Sequence, residues 1–185
     1  MARETAPVTA LLAALVVGAY ALELGFGGMA ACDAYGLVPA HWSVETALSS
    51  MFLHDPSGLF HVGGNLVFLV VFGIIVERAI GSLGFAALYV AAGLGGAVMH
   101  FAVNPSATDP LVGCSGALFG LMAVASVLRP RLLGFVIAYM GLNIWHAVVG
   151  GAGNVSFGCH IGGFVVGFLA VVALRAADSD ALASA

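Results

Sequence analysis

The chain has 185 residues, of which 62% are apolar and only 8% charged, for a net charge of −4. With a mean hydropathy of +1.11 it has too little polar surface to cover a globule in water, so the composition is that of an integral membrane protein. The five basic residues form no block, which argues against a nucleic-acid partner. Three cysteines, Cys32, Cys114 and Cys159, include no CxxC pair and imply neither a disulfide framework nor a zinc cluster.

At roughly 20 residues per span of a ~30 Å hydrocarbon core, the length accommodates about six helices with short loops. The reading is a single all-α membrane domain over 1–185, with a frayed polar tail from about Asp178. Breaks fall where Pro, Gly, Asn and charged residues cluster, and they predict spans at Pro7–Ala30, Gly58–Ile80, Ser82–Phe101, Ser115–Leu128, Arg131–Val149 and Phe157–Ala176. Met29-Ala30-Ala31-Cys32 faintly resembles a lipoprotein cleavage site, but Glu23 and the weak basic region at Arg3-Glu4 favour a retained first span. The second span ends at Glu77-Arg78 with Gly81, the third at Asn104-Pro105, the fourth at Arg129-Pro130-Arg131. Gly150-Gly151-Ala152-Gly153-Asn154 precedes the sixth.

With six spans, Arg3, Arg78, Arg129, Arg131 and Arg175 all fall on one side, which the positive-inside rule makes cytoplasmic together with both termini. Asp33, Glu45, Asp55 and Asp109 fall on the other. The long first loop, Cys32 to Ser57, mixes Trp42, Val44, Leu48, Met51 and Phe52 with polar residues and is expected to lie in the membrane interface. Small residues recur at Gly93, Gly95 and Gly96, at Gly116 and Gly120, and at Gly163 and Gly167, a spacing that lets helix backbones approach closely. A tight bundle centred on the fourth and sixth spans follows.

The fourth span is unusual. Pro110 and Gly113 disfavour helix before Ser115, and Arg129-Pro130 stops it after about fourteen residues, roughly 20 Å against a ~30 Å core. Ser115 therefore sits on the order of 10 Å below the non-cytoplasmic surface, where irregular backbone implies a water-filled cavity above it. Alone, a Gly-x-Ser-Gly is best read as a helix N-cap. The other polar residues change that reading. His61 and Asn65 share one face of the second span, His160 lies near the start of the sixth, and all lie in the same half of the membrane, where polar groups are costly. His41, His54, His100 and His146 read instead as interfacial residues.

The set suffices for acyl transfer. His160 can take the Ser115 proton as general base, while His61, Asn65 and backbone N–H groups around Cys114 and Ser115 form an oxyanion hole. No acidic residue is placed to orient His160, so a Ser–His dyad is expected. Loss of the acid costs about 10⁴-fold in a soluble triad, which implies a slow enzyme.

These residues resemble the rhomboid family of intramembrane serine proteases from about Phe52 to Ala173. The motifs are Phe52-Leu53-His54, His61-x-x-x-Asn65, Phe72-Gly73 with Glu77 and Gly81, Gly113-x-Ser115-Gly116, and His160-x-x-Gly163-x-x-x-Gly167. The resemblance implies a minimal six-helix core without a seventh span or added soluble domain. It also implies Ser115 as nucleophile, His160 as base, His61 and Asn65 in the oxyanion hole, and Phe119 packed on the His160 ring. Substrates would be single-span membrane proteins cut near the outer end of their span in the cell membrane, reaching the site laterally past the fifth span and its loop. No metal or cofactor is required. Two positions depart from the pattern: Trp42 is followed by Ser43 where an arginine is frequent, and Cys159 replaces the small residue usual before the histidine. Because Cys114 adjoins Ser115 and Cys159 adjoins His160, an approach of these two thiols is a further expectation. The alternatives are a catalytically inactive rhomboid-like protein that escorts membrane clients, against which both Ser115 and His160 argue, and a small transporter, for which paired charges and inverted repeats are missing.

Overall fold

The computed structural model describes residues 5–149 and 156–183. Among them the chain is a helical bundle, with no β-structure beyond one antiparallel bridge between Leu37 and Leu111. Helix α1 (Pro7–Gly25) leads through a turn at Gly27 and Gly28 to α2 (Met29–Tyr35), a 3-10 turn (Pro39–His41) and α3 (Val44–Ser49). Then follow α4 (Leu59–Val103), α5 (Ser115–Leu128), α6 (Leu133–Val149) and α7 (Phe157–Ala183). Helices α1, α4 and the Phe157–Ala176 part of α7 are long and apolar enough to cross a membrane. Their outward residues, such as Leu11, Leu15, Val67, Val71, Phe168 and Leu169, are exposed apolar side chains, the surface that lipid rather than water solvates.

Straight, the 45 residues of α4 would make a rod of about 70 Å. Instead the helix folds back at Gly81, whose φ of 82° and ψ of 163° belong to a region essentially reserved for glycine. The limbs 59–80 and 82–103 pack together, so that a Cβ on Gly73 would stand 3.4 Å from the Phe85 ring; in an unbroken helix these residues would be about 18 Å apart. The Glu77 carboxylate ties α1 to this hairpin. It accepts the N–H groups of Val8 (2.9 Å) and Thr9 (2.7 Å) at the start of α1, the Thr9 hydroxyl (2.7 Å) and the Ser82 hydroxyl (2.7 Å). An anion on the orphan amides of a helix start is a favourable pairing, and four donors offset the burial of its charge.

Helix α5 is the core, buried at every position from Gly116 to Ser126. Gly163 of α7 packs on the Gly116 carbonyl and Gly167 on the Gly120 carbonyl, while Gly120 packs on Ala92. Lipid supplies no hydrophobic drive between spans, so this close backbone approach is what holds α4, α5 and α7 together. The fourth span is central as expected, whereas α7 keeps an exposed outer face at Val165, Phe168, Leu169 and Val172 and joins the centre through its glycines.

Several expected boundaries move. The first span stops at Gly25 rather than Ala30, because the turn at 26–28 starts a separate helix within a run that stays apolar. The third continues to Val103, the fifth starts at Leu133 after a 3-10 turn (Pro130–Leu132), and the tail expected to fray from Asp178 is helical to Ala183. The first loop is largely helical and folds inward, burying Met51, Leu53 and His54, while Trp42 and Val44 stay exposed. The Gly150–Asn154 loop and the Arg3-Glu4 region lie outside the described residues.

Candidate active site

Ser115 is the first residue of α5, and Cys114 before it occupies the N-cap without a side-chain hydrogen bond. The capping role that Gly-x-Ser-Gly suggests in isolation thus falls to Cys114, and the half-buried Ser115 hydroxyl lies 2.9 Å from His160 Nε2. The loop leading into α5 is pinned on the first loop by the paired N–H and C=O groups of Leu37 and Leu111 and by the Gly113 N–H donating to the Ser50 carbonyl at 2.9 Å. That fixes where α5 begins. A cleft runs along α1, lined by Leu22, Glu23 and Phe26 together with Tyr35 and Leu53 of the first loop.

His160 is held from several sides. Ser156 precedes α7 and its hydroxyl accepts the Cys159 N–H at 3.2 Å while pairing with His100 Nδ1 at 2.6 Å, which joins the start of α7 to the second limb of α4. Phe119, one turn along α5 from Ser115, stacks on the His160 ring with centroids 4.3 Å apart and planes at 12°. Phe157 meets the same ring edge-on at 6.1 Å. No carboxylate hydrogen-bonds this ring among the described residues; instead Nδ1 lies 2.6 Å from Asn143 Oδ1, a buried amide on α6. Where the sequence points to a Ser–His pair alone, the His160 ring thus has a further polar partner, a neutral amide that does not stand out in the sequence as an orienting acid would.

His61 and Asn65 come from the first limb of α4. The Asp55 N–H donates to His61 Nδ1 over a long 3.4 Å, which leaves the proton on Nε2. Asn65 is buried, and its Nδ2 has no hydrogen-bond partner among the described residues. Both groups converge on Gly113, whose φ is +114°: a Cβ there would stand 2.8 Å from His61 Nε2 and 3.3 Å from Asn65 Nδ2. Two unspent donors thus face the backbone two residues before the Ser115 hydroxyl. The orphan amides at the start of α5 add to them.

Cys114 turns its thiol toward His54 Nε2 at 4.0 Å, leaving only its backbone for an oxyanion hole. His54 is not interfacial but fully buried. Burial pushes it down to about 4, so the neutral ring holds Phe52 through Nδ1 (3.2 Å) and offers Nε2 to the thiol. His100 is buried as well. Cys159 packs its sulfur over Gly96 and Gly116, and all three cysteines are free thiols, so the expected approach of Cys114 and Cys159 yields no bond. Gly116, Gly163 and Gly167 act through the α5–α7 contact described above.

A serine hydroxyl on an imidazole nitrogen, beside the N–H donors of His61 and Asn65, is the equipment for acyl transfer. In comparisons with known proteins, the rhomboid domain matches residues 41–177. RHOMBOID-like protein 5 of Arabidopsis thaliana is 33% identical over 131 residues, covering 65% of this chain and 41% of that protein. Rhomboid protease GluP of Bacillus subtilis (strain 168) is 32% identical over 133 residues, covering 69% of this chain and 25% of the relative. Rhomboid-type serine protease 2 of Emericella nidulans is 40% identical over 76 residues, covering 40% of this chain and 14% of the relative. The chain thus spans well under half the length of these relatives.

Proposed function

The chain belongs to the rhomboid family, and on that premise we propose that it is an intramembrane serine endopeptidase acting on single-span membrane proteins. The observation that carries the reading is the 2.9 Å contact between Ser115 Oγ and His160 Nε2 with the unpaired Asn65 Nδ2 and His61 Nε2 nearby. In this reading Ser115 Oγ attacks the scissile carbonyl as its proton passes to His160 Nε2. The carbonyl oxygen, now an anion, takes hydrogen bonds from His61, Asn65 and the amides at the α5 start. His160 returns the proton to the leaving amine, and water then releases the acyl group by the same route.

The distribution of arginines supports cytoplasmic termini in a cell membrane, with cleavage near the non-cytoplasmic end of the substrate span. Residues 1–185 would form one membrane domain for this purpose. The test is labelling with a serine-directed phosphonate alongside cleavage of a single-span reporter in liposomes. Native protein is expected to label at Ser115 and to cut, and Ser115→Ala and His160→Ala to do neither. Cleavage that persists in Ser115→Ala refutes the assignment; native protein that neither labels nor cuts favours a non-catalytic client-binding role.

A further inference from the structure

We propose that Asn143 is a positioning residue that holds the His160 imidazole in the one tautomer able to accept the Ser115 proton. The proposal rests on the reading of Ser115 and His160 given above. Its starting point is that, among the described side chains of α6, Asn143 and Val136 are the buried ones and the rest are exposed or half-exposed. An amide turned into a membrane bundle is costly unless both its ends are paired.

Both ends are paired, and the polarity of each bond can be followed. Asn143 Nδ2 lies 2.8 Å from the Tyr139 carbonyl, one turn back on the same helix. A carbonyl only accepts, so the nitrogen of the amide must face it and Oδ1 must face away. Oδ1 is then the atom 2.6 Å from His160 Nδ1. Since Oδ1 also only accepts, Nδ1 carries the proton. Nε2 is left with its lone pair toward the Ser115 hydroxyl at 2.9 Å. The direction of every bond from the α6 backbone to the serine follows from one carbonyl that cannot donate.

The group differs from a triad acid in being neutral. It orients the ring and selects the tautomer without placing a buried carboxylate in a low-dielectric bundle, where desolvation is expensive. It lends only a dipole to the imidazolium formed during acylation, so its removal is expected to cost less than the ~10⁴-fold of a triad acid.

The experiment combines NMR of protein carrying ¹⁵N-histidine with kinetics of Asn143→Leu and Asn143→Asp. In native protein the His160 signals, assigned by their loss in His160→Ala, are expected to show protonated Nδ1 and bare Nε2. Protonated Nε2 in native protein overturns the proposal, without any Asn143 variant having to fold. Asn143→Leu keeps the volume but removes the acceptor. It should mix the tautomers and lower phosphonate labelling and kcat on the order of 30-fold at nearly constant KM, with Asn143→Asp recovering part of the loss. Native labelling rate and tautomer in Asn143→Leu also overturn it. Failure of native protein to label at Ser115 would strike the peptidase reading, whereas the tautomer measurement tests Asn143 whether or not the protein cuts anything.

Discussion

Gly113 illustrates how one missing side chain can shape a site. Its φ of +114° costs an L-residue roughly 1–2 kcal/mol, yet stability is the smaller part of its role. The volume a Cβ would occupy is the one that His61 Nε2 and Asn65 Nδ2 face. Gly113→Ala is expected to lower reporter cleavage on the order of 10²-fold, the scale of losing one oxyanion donor, while the protein still folds in detergent. Activity within a few-fold of native would show that these donors do not serve the reaction. Ser115, His61, Asn65 and His160 were legible in the sequence because a polar residue in an apolar span is conspicuous. Asn143 met the same criterion but stood alone in its span; its partner is 17 residues away, across the loop to α7. His54 reads as interfacial from sequence but is buried, because a histidine in a loop gives no sign that the loop folds inward over it.

Between helices, two kinds of joint do different work. Where α5 meets α7, glycines on carbonyls bring the helix of Ser115 against that of His160, and this joint was legible as small-residue spacing. Where α1 meets the α4 hairpin, the joint is polar and centres on Glu77. Glu77→Gln keeps the shape but turns an amide NH₂ toward donors that need an acceptor. About two of the four donors then lose their partner, at about 1–3 kcal/mol for each buried orphan. The expected result is a fall in thermal stability in detergent, with the phosphonate labelling rate of the folded protein unchanged. An unaltered melting temperature would mean that water reaches these groups and replaces the carboxylate. Sequence places Glu77 at the end of a span and in the motif with Phe72-Gly73 and Gly81 but does not reveal what it binds, because its partners Val8 and Thr9 lie almost 70 residues earlier. The end of α1 at Gly25 is hidden for a related reason: hydropathy follows the solvent, and the turn at 26–28 lies within a run that stays apolar.

Across the whole molecule, α6 connects access to chemistry. Its seam with the first limb of α4 is aromatic: Phe135 lies 6.2 Å from Phe68, stacks on Phe72 at 6.4 Å and stacks on Tyr139 at 5.7 Å, while Tyr139 continues the stack to Phe119 at 5.4 Å. If substrates pass between these helices, this seam must part, and each ring pair opposes it by about 0.5–1.5 kcal/mol. Phe135→Ala removes rings from the seam but leaves Asn143 and His160 in place. A loss of about 1 kcal/mol raises the open fraction about fivefold, so a several-fold fall in KM for the single-span reporter is expected. The same helix carries Asn143, and parting the seam also slackens the 2.6 Å bond to His160. The turnover number should therefore not rise with access, and phosphonate labelling, which needs no lateral passage, should stay level or fall. A parallel rise in kcat and labelling would mean that α6 can leave without disturbing the base. Unchanged KM would place the substrate's route elsewhere on the bundle.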